Sequence, residues 1–312
     1  MTFDVTAEDA GVRLDKFLAA PGRLGSRGKA ADAITKGKVF LNEGEATMAD
    51  ASRLLSAGDQ IRLWMDRPGS ARRRPAPTRG ADLDVVFEDH AIVVVNKPAG
   101  LLTVPLERRS EAPSVEEMLD ARFRAQGKKP PLVVHRIDRD TSGIVLFARN
   151  PRAQQRLKDQ FRRHEPDRIY WAVLYGVPQP ASGTWRDHMV WDATALIQKE
   201  THPNDPRAAE AVAEYRVLDT WGTLSLVEVK LHTGKRNQIR LQARLRGHML
   251  VGEQRYTYGP DDLRSIEFPR QALHARRLSF DHPDTGARLT FEAPLPDDMA
   301  ALIAHLSQGD GL

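Results

Sequence analysis

Residues 132–149 read LVVHRIDRDTSGIVLFAR. Two apolar, largely β-branched runs, 132–134 and 144–148, flank a short polar core, HRIDRDTSG. Apolar runs of this length bounded by turn chemistry predict buried strands. Thr141, Ser142 and Gly143 supply the turn between them, since Gly tolerates backbone angles that other residues avoid. Asp138 then falls in a connection at strand ends, where a rigid scaffold presents functional side chains. Arg136, Arg139 and Arg149 surround it with guanidinium groups. One reading makes Asp138 or Asp140 a turn cap or an ion-pair partner. The other makes the carboxylate a nucleophile or base kept ionised by its cationic neighbours. Composition does not choose between them.

A chain of 312 residues allows a large core with a small extra domain. Cysteine is absent, which excludes disulfides, Cys-based zinc sites and Cys nucleophiles. No run is long and apolar enough to span a membrane, and the N-terminus lacks the basic-then-apolar order of a secretory signal. A soluble cytoplasmic protein is expected. The formal net charge is +4, and of 46 basic residues eleven are Lys and 35 are Arg. Forked, planar guanidinium groups suit phosphate and stack on bases, which favours a nucleic-acid partner.

In chain order, residues 11–20 put Leu14, Phe17 and Leu18 on one helical face, ended by Pro21 and Gly22. A second helix is expected over about 28–36 with Ala30, Ala31 and Ile34 inward, then a strand plus turn over 36–44 and a turn plus strand over 58–64. Residues 66–81, with Pro, Gly and five Arg, lack apolar periodicity and read as a basic linker. The second domain begins with two strands and the loop NKPAGL, residues 96–101. There Pro98 forces Lys97 extended and Gly100 permits close backbone approach. Ser114 and Glu117 make a capping box for a helix to about 126. Asn150 and Pro151 begin another, reaching about 163, with Leu157 and Phe161 inward. In the strand over 168–176, Tyr170 alternates with Ala172 and Leu174. The 182–210 stretch is the least informative: Trp185, Trp191, His188 and His202 are either packing and loop residues or peripheral RNA contacts. Strands over 211–217 and 223–231 precede a turn that enters a helix ending near Gly247. A last helix covers about 297–306.

HRIDRDTSG, residues 135–143, closely resembles the His-Arg-Leu-Asp-x-x-Thr-Ser-Gly motif of RluA-type pseudouridine synthases, with Ile137 for Leu. NKPAGL resembles that family's first motif. THR-GLY-LYS-ARG-ASN-GLN-ILE-ARG over 233–240 resembles its Thr-Gly-Arg-x-His-Gln-Ile-Arg motif, with Lys235 for Arg and Asn237 for His. Residues 248–256 resemble a segment in which Glu253 stands for the usual Asp, and the stretches 272–275 and 282–286 also match. Before the linker, RLDKFL and VFLNEG resemble an S4 RNA-binding domain. The resemblance implies an α+β protein. It consists of a small α/β S4-like domain over 1–65, the linker over 66–81, and a catalytic domain over 82–312 around a largely antiparallel mixed sheet.

It further implies isomerisation of uridine to pseudouridine within RNA, with no cofactor, no metal, no membrane and no obligatory protein partner. Ribosomal RNA is favoured over transfer RNA. The implied catalytic residues are Asp138, Tyr170 and Arg240. Asp138 acts at C1′ or removes a sugar proton, Tyr170 stacks on the flipped uracil and assists proton removal, and Arg240 is the ion-pair partner of Asp138. Arg136 is the candidate to fill the gap left by the flipped base, and Lys97, Arg139 and Lys235 are further substrate contacts. On the S4-like domain Arg13, Lys16, Arg27, Lys29 and Lys36 are RNA-facing candidates. A non-catalytic RNA-binding factor is the rival reading. A glycosidase with paired carboxylates ranks low, because Asp138 and Asp140 are only two residues apart.

Overall fold

The computed structural model of the chain describes residues 1–35, 37–42, 44–46, 50–64, 83–105, 113–193, 197–257 and 265–308. It comprises two compact units, Met1–Arg74 and Pro75–Leu312. The expected linker and Lys36 lie outside the described residues.

In the first unit, β1 (Thr2–Asp4), α1 (Leu14–Leu18), α2 (Arg27–Thr35), β2 (Val39–Leu41), β3 (Gly44–Glu45) and β4 (Gln60–Leu63) follow in order. The strands form an antiparallel sheet, β1-β4-β2-β3. Alternation along β4 buries Ile61 and Leu63 while exposing Gln60 and Arg62. These two pack with Leu14, Phe17 and Leu18 of α1 and Ala30, Ala33 and Ile34 of α2. Ala33 takes the inward place expected for Ala31, because residues three and four beyond Ala30 share its face.

The second unit runs β5 (Asp84–Glu88), β6 (Ile92–Lys97), α3 (Val115–Ala125), β7 (Leu132–Val133), β8 (Ser142–Ala148), α4 (Pro151–Arg162) and β9 (Asp167–Tyr175). It continues through β10 (Ser182–Asp192), β11 (Ile197–Glu200), β12 (Ala209–Trp221), β13 (Leu224–Leu231), α5 (Gln238–Leu245), β14 (Leu273–Asp281), β15 (Arg288–Glu292) and α6 (Asp297–Ser307). Its 11-stranded sheet has the order β11-β10-β12-β13-β9-β14-β8-β6-β5, with β15 on β14 and β7 on β8. Among the strands of the described residues only β8 and β14 pair in parallel; an isolated bridge between Leu102 and Ser114 is also parallel. The expected α+β class and largely antiparallel mixed sheet are therefore observed. Ser114 and Glu117 form their capping box, and the Asn150 side chain caps α4.

Strand β8 is buried along its whole length. Val145 and Phe147 join Leu119 and Phe123 of α3 on one face, while Ile144 and Leu146 join Ala153 and Leu157 of α4 on the other. A strand covered on both faces reads as a continuous apolar run. One edge of β8 follows β6; the other is shared, with Ser142 and Gly143 on β14 and Phe147 and Ala148 on β7. Gly143 is thus a strand residue rather than part of the expected turn. It is glycine because a Cβ there would lie 2.2 Å from the Ala275 carbonyl oxygen, at φ +112°.

Candidate functional site

The β7–β8 connection carries Asp138 and is fixed from several sides. Ile137 exchanges hydrogen bonds with Thr103: its N–H donates to Oγ1 at 3.3 Å and its carbonyl accepts from the hydroxyl at 2.9 Å. The Asp138 carbonyl accepts the Thr141 N–H, and the Arg139 carbonyl accepts that of Gly100. His135 bridges the gap between β7 and β14 along β8. Its Nε2 accepts the Leu146 N–H at 3.0 Å, and its ring stacks on Phe161 with centroids 4.7 Å apart. Burial, reinforced by nearby Arg168, pushes the imidazole down to about 3, so this nitrogen stays an acceptor.

Lys97 departs from its expected role. Its side chain is fully buried, and Nζ donates to the carbonyls of Pro98 (2.9 Å), Leu101 (2.7 Å) and Arg139 (2.8 Å). All three protons of the ammonium are spent on backbone, so the residue ties the 96–101 loop to the position after Asp138 and does not line the cavity. Burial pulls its pKa down to about 7, opposed by Asp140 and Asp138.

Helix α5 supplies the partners of Asp138. Asn237, at its N-cap, has φ 52°, a left-handed conformation that Asn tolerates better than most residues. Its Nδ2 donates to Asp138 Oδ2 at 2.6 Å, and its Oδ1 accepts the Tyr256 hydroxyl at 3.2 Å. Arg240, one turn on, donates from Nη1 to the same Asp138 oxygen at 3.3 Å. Its other edge forks onto Glu253, Nε at 2.7 Å and Nη2 at 2.6 Å. Glu253 also accepts the N–H groups of Gln254, Arg255 and Tyr256. Burial would raise its carboxyl, but Arg240 and these amides outweigh it and hold the pKa below the usual value. Burial likewise opposes the Arg240 charge, and Glu253 and Asp138 more than offset it. A guanidinium fixed on one edge by a buried carboxylate presents its free edge to Asp138 with little freedom.

Asp138, Asn237 and Arg240 line a cavity of about 420 Å³. Tyr170, buried on β9, and Ile137 contribute to its walls, and Arg136 and Lys235 reach it from its rim. Burial pushes the Tyr170 hydroxyl up to about 12, so it is neutral at ordinary pH. Asp138, Tyr170, Arg240, Arg136 and Lys235 are therefore brought together. Arg139 is half-buried outside the cavity lining and pairs with Asp140 at 3.5 Å. Arg13, Lys16, Arg27 and Lys29 are exposed on the first unit, where Arg13 pairs with Asp15 at 3.0 Å. Trp185 is a core residue stacked on Tyr215, whereas Trp191 lies under the Arg236 guanidinium at 4.1 Å.

Sequence reasoning missed Arg168, which also lines the cavity. Strand alternation was the available signal, since positions 168 and 170 share a face. No helix among the described residues is long and apolar enough to cross a membrane.

Residues 91–245 match the model of the RNA pseudouridylate synthase family. An uncharacterised RNA pseudouridine synthase of Bacillus subtilis, YlyB, is 35% identical over 308 residues, covering 97% of each chain. The ribosomal large subunit pseudouridine synthase D of Zymomonas mobilis is 32% identical, covering 97% of this chain and 96% of its own. That of Pseudomonas aeruginosa is 30% identical over 98% of this chain and 95% of its own. The solved structure of human RNA pseudouridylate synthase domain containing 4 superposes with a TM-score of 0.59 at 21% identity, over 72% of this chain and 92% of its own, a likeness of fold.

Proposed function

The chain belongs to the RluA type of RNA pseudouridine synthases, and from that premise we propose that it isomerises a uridine of ribosomal RNA, using Asp138 on a flipped-out nucleotide. The observation that carries this reading is the Asp138 carboxylate, held by Asn237 and a Glu253-fixed Arg240 at a cavity walled by Tyr170. The isomerisation breaks the N1–C1′ bond, turns the uracil, joins C5 to C1′ and releases the C5 proton. A stacked base cannot be reached, so the nucleotide leaves its helix first. Arg136, exposed at the rim, fills the gap it leaves. Tyr170 offers the uracil a face, a contact worth about 1–3 kcal/mol per base. Asp138 acts on the sugar, at C1′ or on a neighbouring proton, and Arg240 and Asn237 hold and aim it. Lys235 assists from the rim.

The first unit, with its S4-like order of helices and strands, provides a second hold on RNA through Arg13, Lys16, Arg27 and Lys29. The names of the Zymomonas and Pseudomonas relatives support the large-subunit ribosomal RNA as substrate, and a cytoplasmic location goes with it. The test is tritium release from RNA labelled at uridine C5, taken from a strain lacking the gene, with wild type and Asp138→Asn compared. Release from ribosomal RNA by wild type alone is expected. An equally active Asn variant would sink the role of Asp138, and release from transfer RNA alone would sink the substrate.

A further inference from the structure

Arg168 lines the reaction cavity and, among the described residues, has no carboxylate paired with it. It stands on β9 two residues before Tyr170, on the same face of the strand, and is 8% exposed. Nη2 donates to the His232 carbonyl at 2.7 Å, and the buried Nε has no hydrogen-bond partner. Among the described residues no carboxylate contributes to its charge balance, in contrast with Arg240, which has Glu253 and Asp138. An isolated buried charge is costly, and a protein retains one where something else supplies the opposite charge. The surroundings are shaped for the side chain. Phe161 lies beneath the guanidinium at 5.6 Å, and a Cβ on Gly234 would meet Nη1 at 2.5 Å. Lys235 and Arg162 line the same cavity and add to its positive charge.

We infer that Arg168 is the anion subsite of the cavity, binding the phosphodiester group next to the flipped uridine while Asp138 works on its sugar. The inference rests on the reading of this cavity as the site for a nucleotide in RNA. A phosphodiester is the anion such a nucleotide brings with it, and a guanidinium matches its two free oxygens with paired donors. Anchoring that phosphate would fix C1′ relative to Asp138, so the residue is a substrate-binding one for the same reaction.

The test uses the full-length protein and uridine trinucleotides whose two linkages are ordinary diesters, or in which one linkage is a neutral methylphosphonate. Binding is read directly by titration calorimetry or ligand-observed NMR, with no turnover required. Wild type should bind the diester about 10- to 100-fold better than one of the two methylphosphonates, the range for a charge-assisted contact. Arg168→Met should abolish that preference and Arg168→Lys retain part of it. Because no carboxylate among the described residues pairs with the cation, and the bond lost is the one to the His232 carbonyl, Arg168→Met should melt close to wild type. An unchanged preference in Arg168→Met overturns the inference. So does a melting point lowered by several degrees in that variant, which would assign Arg168 to the fold. The outcome is separable from that of the tritium assay: an inactive wild type that still discriminates the charged linkage loses the proposed reaction and keeps the subsite.

Discussion

Replacing Gly143 with alanine should damage stability and turnover together, for one geometric reason. The added Cβ would lie 2.2 Å from the Ala275 carbonyl oxygen, 2.7 Å from its carbon and 2.8 Å from its nitrogen. All three are backbone atoms of a paired strand, so no rotamer change relieves the contact. Overpacking of this kind costs about 1–3 kcal/mol. The φ of +112° adds strain for a residue with a Cβ, about 1–3 kcal/mol more. A loss of about 2–6 kcal/mol in urea unfolding is expected. Ala275 sits between Gly143 on one side and Tyr170 on the other. Forcing β8 away from β14 therefore moves the Asp138 loop relative to Tyr170. A displacement of about 1 Å at a reacting centre costs on the order of 100-fold in rate. Tritium release by the folded fraction should show kcat reduced by that order. A variant within about 1 kcal/mol of wild type, turning over within threefold of it, would refute the claim that this close approach sets the site.

Asn237→Ala removes a 2.6 Å donor to Asp138 and leaves the Tyr256 hydroxyl without its acceptor. A hydrogen bond to a charged group is worth about 1.5–3 kcal/mol, so kcat should fall about 10- to 100-fold in steady-state tritium release. Tyr170 titrates near 12, so it is a neutral phenol at working pH. Tyr170→Phe should be slower, with a pH–rate profile of the same shape as wild type between about pH 6 and 10; a basic limb lost in the Phe variant would contradict this. Lys97→Met strands three carbonyl groups and should cost about 3 kcal/mol or more in urea unfolding, with the site loop loosened. His135 titrates near 3 when folded and near 6.5 when unfolded, so between these values the unfolded chain binds the extra proton. Its contribution is complete above about pH 6.5 and shrinks as pH falls towards 3, by up to about 1.4 kcal/mol per pH unit. Urea midpoints at pH 7.5 and 5 should therefore differ less in His135→Gln than in wild type; an identical difference would remove His135 from the account.

What was legible in the sequence was local. Strand β8 showed itself because a strand covered on both faces must be apolar throughout, and α3 and α4 showed their caps because Ser114 and Asn150 act on amides three residues away. The likeness of residues 135–143 and 233–240 to known motifs brought Asp138 and Arg240 to notice, although 102 residues separate them. What stayed hidden depended on partners distant in the chain and on burial. Gly143 looked like a turn residue because polar residues precede it, yet its reason is Ala275 on another strand. Lys97 looked like an RNA contact because its loop resembles the family's first motif, and lysines are seldom buried. Its burial is tolerated only because Arg139, 42 residues on, completes a set of three carbonyls. The substitution at Asn237 was visible, but its consequence was not. A left-handed N-cap aims the amide at Asp138 and gives that carboxylate an uncharged donor in addition to Arg240. An amide does not titrate, so this half of the Asp138 environment is independent of pH, whereas a histidine at the same place would couple it to its own protonation. Asn237→His should therefore introduce an acid limb near the histidine pKa into kcat that wild type lacks. A profile unchanged by the substitution would mean that the contact with Asp138 does not influence the chemical step.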